Sequence, residues 1–315
     1  MTNKLRSHRL LAIAAIAILL LIMCAITAPL AQTPTEQPTE EYDIVKIDTN
    51  LVILNISVTD QKNHPITGLK SNDFLIKDEG ATITPQFFHS ERPASIVFII
   101  DISGSMDGSK WHNLKTALKQ FLKKQQDSNY TLIVFNETPL RLASSITPDA
   151  FWNLFRNLTP DGDTALYDGL LLGLDQTHYL LTDHKAIILL SDGEDNRSKS
   201  NLGLVQQKVF DTHTTIYAVG ILSNTEIVSP KKPLKPGHQL LTDLASTTGG
   251  LSFFPTPEKI ESTLIKITAE ITNQYSFGYY PANKTPGWRT IEVDLLKSNL
   301  PRNTKLRYQN RYLFK

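Results

Sequence analysis

The chain has 315 residues, 41% of them hydrophobic and 20% charged, enough apolar material for a sizeable core and enough length for two compact units. A formal net charge of +1 excludes global electrostatic steering toward nucleic acid or an anionic membrane, so a partner has to be read from a local site. The single cysteine, Cys24, excludes a disulfide framework and cysteine-ligated zinc, which leaves packing as the source of stability.

Lys4, Arg6 and Arg9 precede an apolar run from Leu10 to about Ile26. Residues 1–31 are therefore expected to be a signal peptide or a signal anchor, and the protein to be exported to the periplasm, the cell envelope or the outside. Cleavage and anchoring both stay open: Ala25, Ala28 and Ala31 offer small residues for a cut, while the run lies at the short end of the roughly 17 to 25 residues that span a bilayer. Cys24 follows Leu21-Ile22-Met23, where a lipoprotein signal wants a small residue, so it reads as apolar filler. Residues 32–44 are polar and proline-bearing, a flexible linker.

Residues 45–92 read as strands. Val52, Leu54, Ile56 and Val58 share one face, Asn63-His64-Pro65 marks a turn, and Phe74 and Ile76 belong to a second strand. Asp78-Glu79-Gly80 is a further turn leading toward Phe87 and Phe88. The pattern changes over residues 93–271. Ile96 to Ile100 is wholly apolar, as in a parallel strand buried on both faces. Trp111, Leu114, Leu118, Phe121 and Leu122 follow at helical spacing.

Next come a strand at Leu132–Phe135, helices at Phe151–Leu158 and Leu166–Leu181, and strands at Ala186–Leu190 and Ile216–Val219. A helix at Leu241–Thr248 ends at Gly249-Gly250, a short strand follows at Ser252–Phe254, and a last helix lies around Ile260–Ile271. Such alternation predicts an α/β, Rossmann-like unit with a mostly parallel sheet and helices on both faces. In residues 272–315, Tyr275, Phe277 and Tyr279 alternate with small residues. Ile291, Val293 and Leu295 alternate with Glu292 and Asp294, and Leu306–Leu313 is a final strand. Neither flank has enough strands to be stable alone, so the two are expected to pair as one small β-sandwich-like domain into which the α/β unit is inserted.

The chemistry lies in three loops. The first buried strand runs into Asp101-Ile102-Ser103-Gly104-Ser105, Asp161-Gly162-Asp163-Thr164 precedes a helix, and Ser191-Asp192-Gly193 leaves the strand at Ala186–Leu190. In an open α/β sheet, ligands bind beyond the carboxyl ends of the strands. Asp101, Ser103, Ser105, Thr164 and Asp192 are all hard oxygen donors, suited to Mg²⁺ or Mn²⁺ rather than zinc. Each loop alone also has an ordinary reading: Ser105 as a helix cap, Thr164 as part of a turn and cap, Asp192 as a turn residue. Asp107, Asp161, Asp163, Glu194 and Asp195 read as a solvated rim.

Asp101-x-Ser103-x-Ser105, then Thr164, then Asp192 resembles the metal-ion-dependent adhesion site, or MIDAS, of von Willebrand factor A domains. The flanks, "LVILNISVTDQKNHPITGLKSNDFLIKDEG" and "YSFGYYPANKTPGWRTIEVDLL", resemble the bacterial VWFA-related proteins described from acidobacteria, and together the resemblance reaches from about Val45 to the end. It implies that Ser103 and Ser105 bind the ion directly, and that Thr164, Asp101 and Asp192 bind it directly or through water. A partner protein's Asp or Glu carboxylate would complete the coordination. The implied function is a metal-dependent, adhesion-type protein-binding module of an exported or envelope-anchored protein, with no enzymatic activity, no nucleic-acid partner, and a membrane contact only through an N-terminal anchor.

Two other classes stay in view: an envelope scaffold or assembly factor that binds without metal, and a metal-dependent hydrolase. Against the second, the sequence has no Gly-x-Ser-x-Gly elbow, no His-Glu-x-x-His helix and no Walker-type phosphate loop. Lys231, Lys232 and Lys235, in the loop after the strand at Ile216–Val219, are candidates for attracting an acidic partner.

Overall fold

The computed structural model describes residues 51–180, 182, 184–226 and 233–315. The expected signal segment and linker, Lys231 and Lys232 lie outside the described residues. Among the described residues, no helix is long and apolar enough to cross a membrane.

The N-terminal flank supplies β1 (Val52–Thr59), β2 (Phe74–Asp78), β3 (Ala81–Thr82) and β4 (Phe87–His89). The α/β segment follows as β5 (Ser95–Asp101), α1 (Ser109–Lys124), β6 (Tyr130–Phe135), β7 (Leu140–Ile146), α2 (Pro148–Phe155), α3 (Leu166–Thr177), β8 (Lys185–Ser191), α4 (Leu202–Thr212), β9 (Thr215–Gly220), α5 (Pro236–Thr247), β10 (Ser252–Phe253) and α6 (Ile260–Thr272). The C-terminal flank adds β11 (Tyr275–Tyr279), β12 (Gly287–Leu295), β13 (Lys305–Arg307) and β14 (Arg311–Phe314).

The central sheet has the order β10-β9-β8-β5-β6-β7 and is parallel except for β7, which runs antiparallel to β6. Its middle strands are apolar without alternation because both of their faces are covered. Ile96, Phe98 and Ile100 of β5 pack against α1, α2 and α6, whereas Val97 and Ile99 meet α3, α4 and α5. Each such fully buried side chain contributes on the order of 1.5–3 kcal/mol. Helix α1 turns Trp111, Leu114, Leu118 and Phe121 inward at a 3.6-residue period and ends on Lys123 and Lys124, cations that suit a helix carboxyl end.

Two four-stranded antiparallel sheets, β13-β1-β11-β4 and β14-β12-β2-β3, each combine strands from both flanks. Leu54 opposes Phe277 and Ile56 opposes Tyr275 in one, and Val293 opposes Ile76 in the other. Their inner faces share an apolar core that includes Phe74, Phe277 and Tyr312. This is the small β-sandwich that the flanks were expected to build around the inserted α/β unit.

Three details depart from the expectation. Leu306–Leu313 is not one strand: β13 joins β1 and β14 joins β12, in different sheets, with the chain crossing between them at Tyr308–Asn310. Strand β7 was not anticipated because it is an edge strand, largely exposed, with no apolar alternation to read. Helix α4 was missed because it buries only Val205 and Val209, although Asn201 caps it by accepting from Leu204 N at 3.0 Å.

Candidate metal centre

β5 and β8 are adjacent and parallel, with Ile100 opposite Leu190, so the loops that leave them emerge side by side on the same edge. The chain passes from β5 to β6 on one side and returns through β8 on the other. This is the topological switch point at which such sheets open a crevice.

Asp101 ends β5 with no exposed surface. Its Oδ1 accepts from the Ser103 backbone N at 2.9 Å and from the Ser103 hydroxyl at 2.6 Å. Its Oδ2 accepts from the Ser191 hydroxyl at 2.7 Å. With its hydrogen given to Asp101, Ser103 Oγ is an acceptor toward Ser105, whose hydroxyl stands 3.1 Å away and therefore donates. Ser103 is fully buried and Ser105 exposed, so the relay runs from the surface to a dry carboxyl. Burial pushes the Asp101 carboxyl up to about 6, against the opposing pull of the Ser103 and Ser191 donors. Among the described residues, no Lys, Arg or His is ion-paired with the Asp101 carboxyl.

The loop itself is a 3-10 turn, Gly104–Met106, and α1 begins only after Gly108 with φ +71°. Ser105 therefore does not cap α1. Gly104 N donates to Gly162 O at 2.9 Å and Asp161 N to Ile102 O at 2.9 Å, which staples the second loop to the first. Thr164 is 2% exposed; its N donates to Asn196 Oδ1 at 2.8 Å, and its O accepts from Asn196 N and Arg197 N at 3.0 Å each. The second loop is thus pinned to the third as well.

Asp192, nearly buried, accepts at Oδ2 from Lys110 Nζ at 2.8 Å, and the same ammonium donates to the Ser105 carbonyl at 3.1 Å. The structure accordingly brings Ser103 into direct contact with both Asp101 and Ser105. Asp192 joins them through Lys110, and Thr164 joins them through the backbone of its loop. Among the described residues, no group of three or more His, Cys, Asp or Glu is placed to hold a metal ion.

The sequence reading missed Ser191, Lys110 and Asn196. Ser191 is the residue before Asp192, and the hydroxyl-rich character of the other loops is the signal that could have found it. Lys110 lies in the first turn of α1, a position that otherwise reads as solvated helix surface. Lys235, a candidate for attracting acidic partners, is ion-paired with Glu226. Beside the cluster opens a cleft of about 560 Å³ lined by Lys110, Asp192, Glu194, Glu226 and His238, among others.

Gly193 holds the Asp192 loop against the start of α5. Its φ is +84°, and a Cβ there would lie 2.3 Å from Gly237 O. Gly193→Ala is expected to lower stability by about 2 kcal/mol or more, from backbone strain plus displacement of the loop, read as a fall in melting temperature. An unchanged melting temperature would show that the loop does not depend on this close approach.

The profile of the family described as von Willebrand factor type A domain matches residues 96–194. Mouse inter-alpha-trypsin inhibitor heavy chain H3 is 29% identical over 137 residues, covering 37% of this chain and 15% of that protein. Bovine inter-alpha-trypsin inhibitor heavy chain H1 is 33% identical over 114 residues, covering 32% of this chain and 13% of that protein. The chain thus spans a small part, 13% to 15%, of the length of these curated relatives. Among solved structures, a von Willebrand factor type A protein from Catenulispora acidiphila aligns with a TM-score of 0.48 at 12% identity, covering 84% of this chain and 73% of that one.

Proposed function

Residues 96–194 being a von Willebrand factor type A domain, we propose that the chain is a protein-binding, adhesion-type module whose binding edge is the cluster around Asp101 and works with a divalent cation. The observation that carries this reading is the hydroxyl relay from exposed Ser105 through Ser103 to buried Asp101, with Asp192 one lysine away. The residues suit a small hard cation: Asp101, Ser103, Ser105, Thr164 and Asp192 would hold Mg²⁺ or Mn²⁺, and hydroxyls in place of carboxylates keep the net negative charge low. When bound, such a cation would supply a Lewis-acidic point able to attract a partner's Asp or Glu carboxylate.

The protein's own contribution is to orient these donors. Ser191 and the Ser103 backbone hold the Asp101 carboxylate in place, and the staples among the three loops keep Thr164 and Asp192 at the same edge. The reading is one of binding and not of turnover. It places the module outside the cytoplasm, on the basic-then-apolar pattern of residues 4–26.

The test is capture of envelope proteins on the immobilised chain with Mg²⁺ or with a chelator, alongside Asp101→Ala. Specific capture is expected with Mg²⁺ and is expected to be lost both in chelator and in the variant. Capture that survives chelator and Asp101→Ala alike would replace this reading with metal-free scaffolding. Catalytic turnover abolished by Ser105→Ala would replace it with hydrolysis.

A further inference from the structure

The three-loop signature contains no cation of its own, yet the structure places one in it. Lys110 Nζ lies 2.8 Å from Asp192 Oδ2 and 3.1 Å from the Ser105 carbonyl, bridging the first loop and the third. The side chains are 17% and 6% exposed, so this is not a solvent-screened surface pair. Among the described residues, the second oxygen of Asp192 accepts only from the Glu194 backbone N, at 3.3 Å.

We propose that Lys110 is a built-in competitor for the metal. Its ammonium occupies Asp192 in the ion-free protein, holds the loops assembled, and has to share or withdraw before Asp192 can serve a divalent cation. This inference rests on the reading of Asp101, Ser103, Ser105, Thr164 and Asp192 as the ion's ligands.

Counting charges gives the direction of the effect. Asp101 and Asp192 bring two negative charges when ionised, and Lys110 cancels one of them, so the pocket attracts a dication less than its carboxylates alone would. The same ammonium makes the loaded pocket more positive, which favours an incoming carboxylate. A lysine suits this role because its charge sits at the end of a flexible stem, and the adjoining cleft offers Glu226 and Glu194 as alternative acceptors.

The experiment is calorimetric titration of the whole chain with Mn²⁺, together with thermal melting in chelator, for the wild type, Lys110→Met and Lys110→Gln. Both neutral variants are expected to bind Mn²⁺ about tenfold or more tightly than the wild type. Both should also melt lower than the wild type in chelator, since Asp192 is left nearly buried without its partner. Lys110→Gln keeps a donor for the Ser105 carbonyl and decides the matter if the methionine variant does not fold. Mn²⁺ affinity unchanged or weakened in the neutral variants would overturn the role of Lys110 while leaving the ligand assignment standing. No uptake at millimolar Mn²⁺ by the wild type or either variant would overturn both.

Discussion

An Asp101→Asn variant is expected to lose divalent-ion uptake and yet to melt higher than the wild type in chelator at about neutral pH. The carboxyl is fully buried, and burial raises it from its ordinary value of 3.8 to about 6. The sign follows from proton counting. Between those two values the folded chain holds a proton that the unfolded chain has released, so the metal-free protein loses stability as pH rises through that window. At about 1.4 kcal/mol per pH unit the loss is about 3 kcal/mol above pH 6, or roughly 5–10 °C in melting temperature for a domain of this size.

Asparagine removes that cost, because the Ser103 and Ser191 hydroxyls can turn to satisfy a neutral amide. It also removes the charge that would balance a dication. In the wild type, Mn²⁺ uptake should correspondingly weaken as pH falls through about 6, where Asp101 takes up its proton. Melting curves in chelator across pH, paired with Mn²⁺ titrations, check both halves. A metal-free Asp101→Asn protein that melts lower than the wild type would show that the carboxylate is a structural asset and not a group kept for a ligand.

Arg307→Met is expected to cost about 3–5 kcal/mol, lowering the melting temperature by about 10 °C, through the seam between the α/β segment and the sandwich. Glu270 on α6 is 2% exposed, and its Oε1 accepts from Arg307 Nη2 of β13 at 2.5 Å and from the Tyr217 hydroxyl of β9 at 2.7 Å. Gln274 donates both to Tyr217 and to Ser57 of β1 at 3.0 Å, and its Oε1 accepts from His184 Nε2 at 3.1 Å. Arg307 Nη1 reaches Thr59 Oγ1 at 3.1 Å, closing a polar network around one buried carboxylate.

Burial and the Glu270 charge hold the Tyr217 phenol well above its ordinary range, so the carboxylate's compensating cation is Arg307. Removing that cation strands a charge, whereas removing both charges does not. The double variant Glu270→Gln/Arg307→Met should therefore recover most of the loss, because glutamine still accepts from Tyr217. Chemical denaturation of the wild type, the single and the double variant separates the two effects. A double variant no more stable than Arg307→Met alone would mean that the loss comes from packing and not from the unpaired charge.

The fold was legible wherever a local pattern reported burial. Unbroken apolar runs such as Ile96–Ile100 announced strands covered on both faces, and the alternation of Ile291 and Val293 with Glu292 and Asp294 announced a sheet with one wet face. Elements with little to bury, β7 and α4, were invisible for the same reason. The three oxygen-rich loops were legible because each follows or precedes an element that the pattern could place.

The partners of those loops were not legible, since they meet across distances in sequence that no local spacing encodes. Ser191 reaches Asp101 over 90 residues and Lys110 reaches Asp192 over 82. Hydrophobic period and turn chemistry are properties of neighbouring residues, so the chain carries them in one dimension. Which strands lie side by side depends on how the whole set of apolar faces is covered at once. Only that three-dimensional solution decided that a lysine, and not a vacancy, faces the third loop's carboxylate.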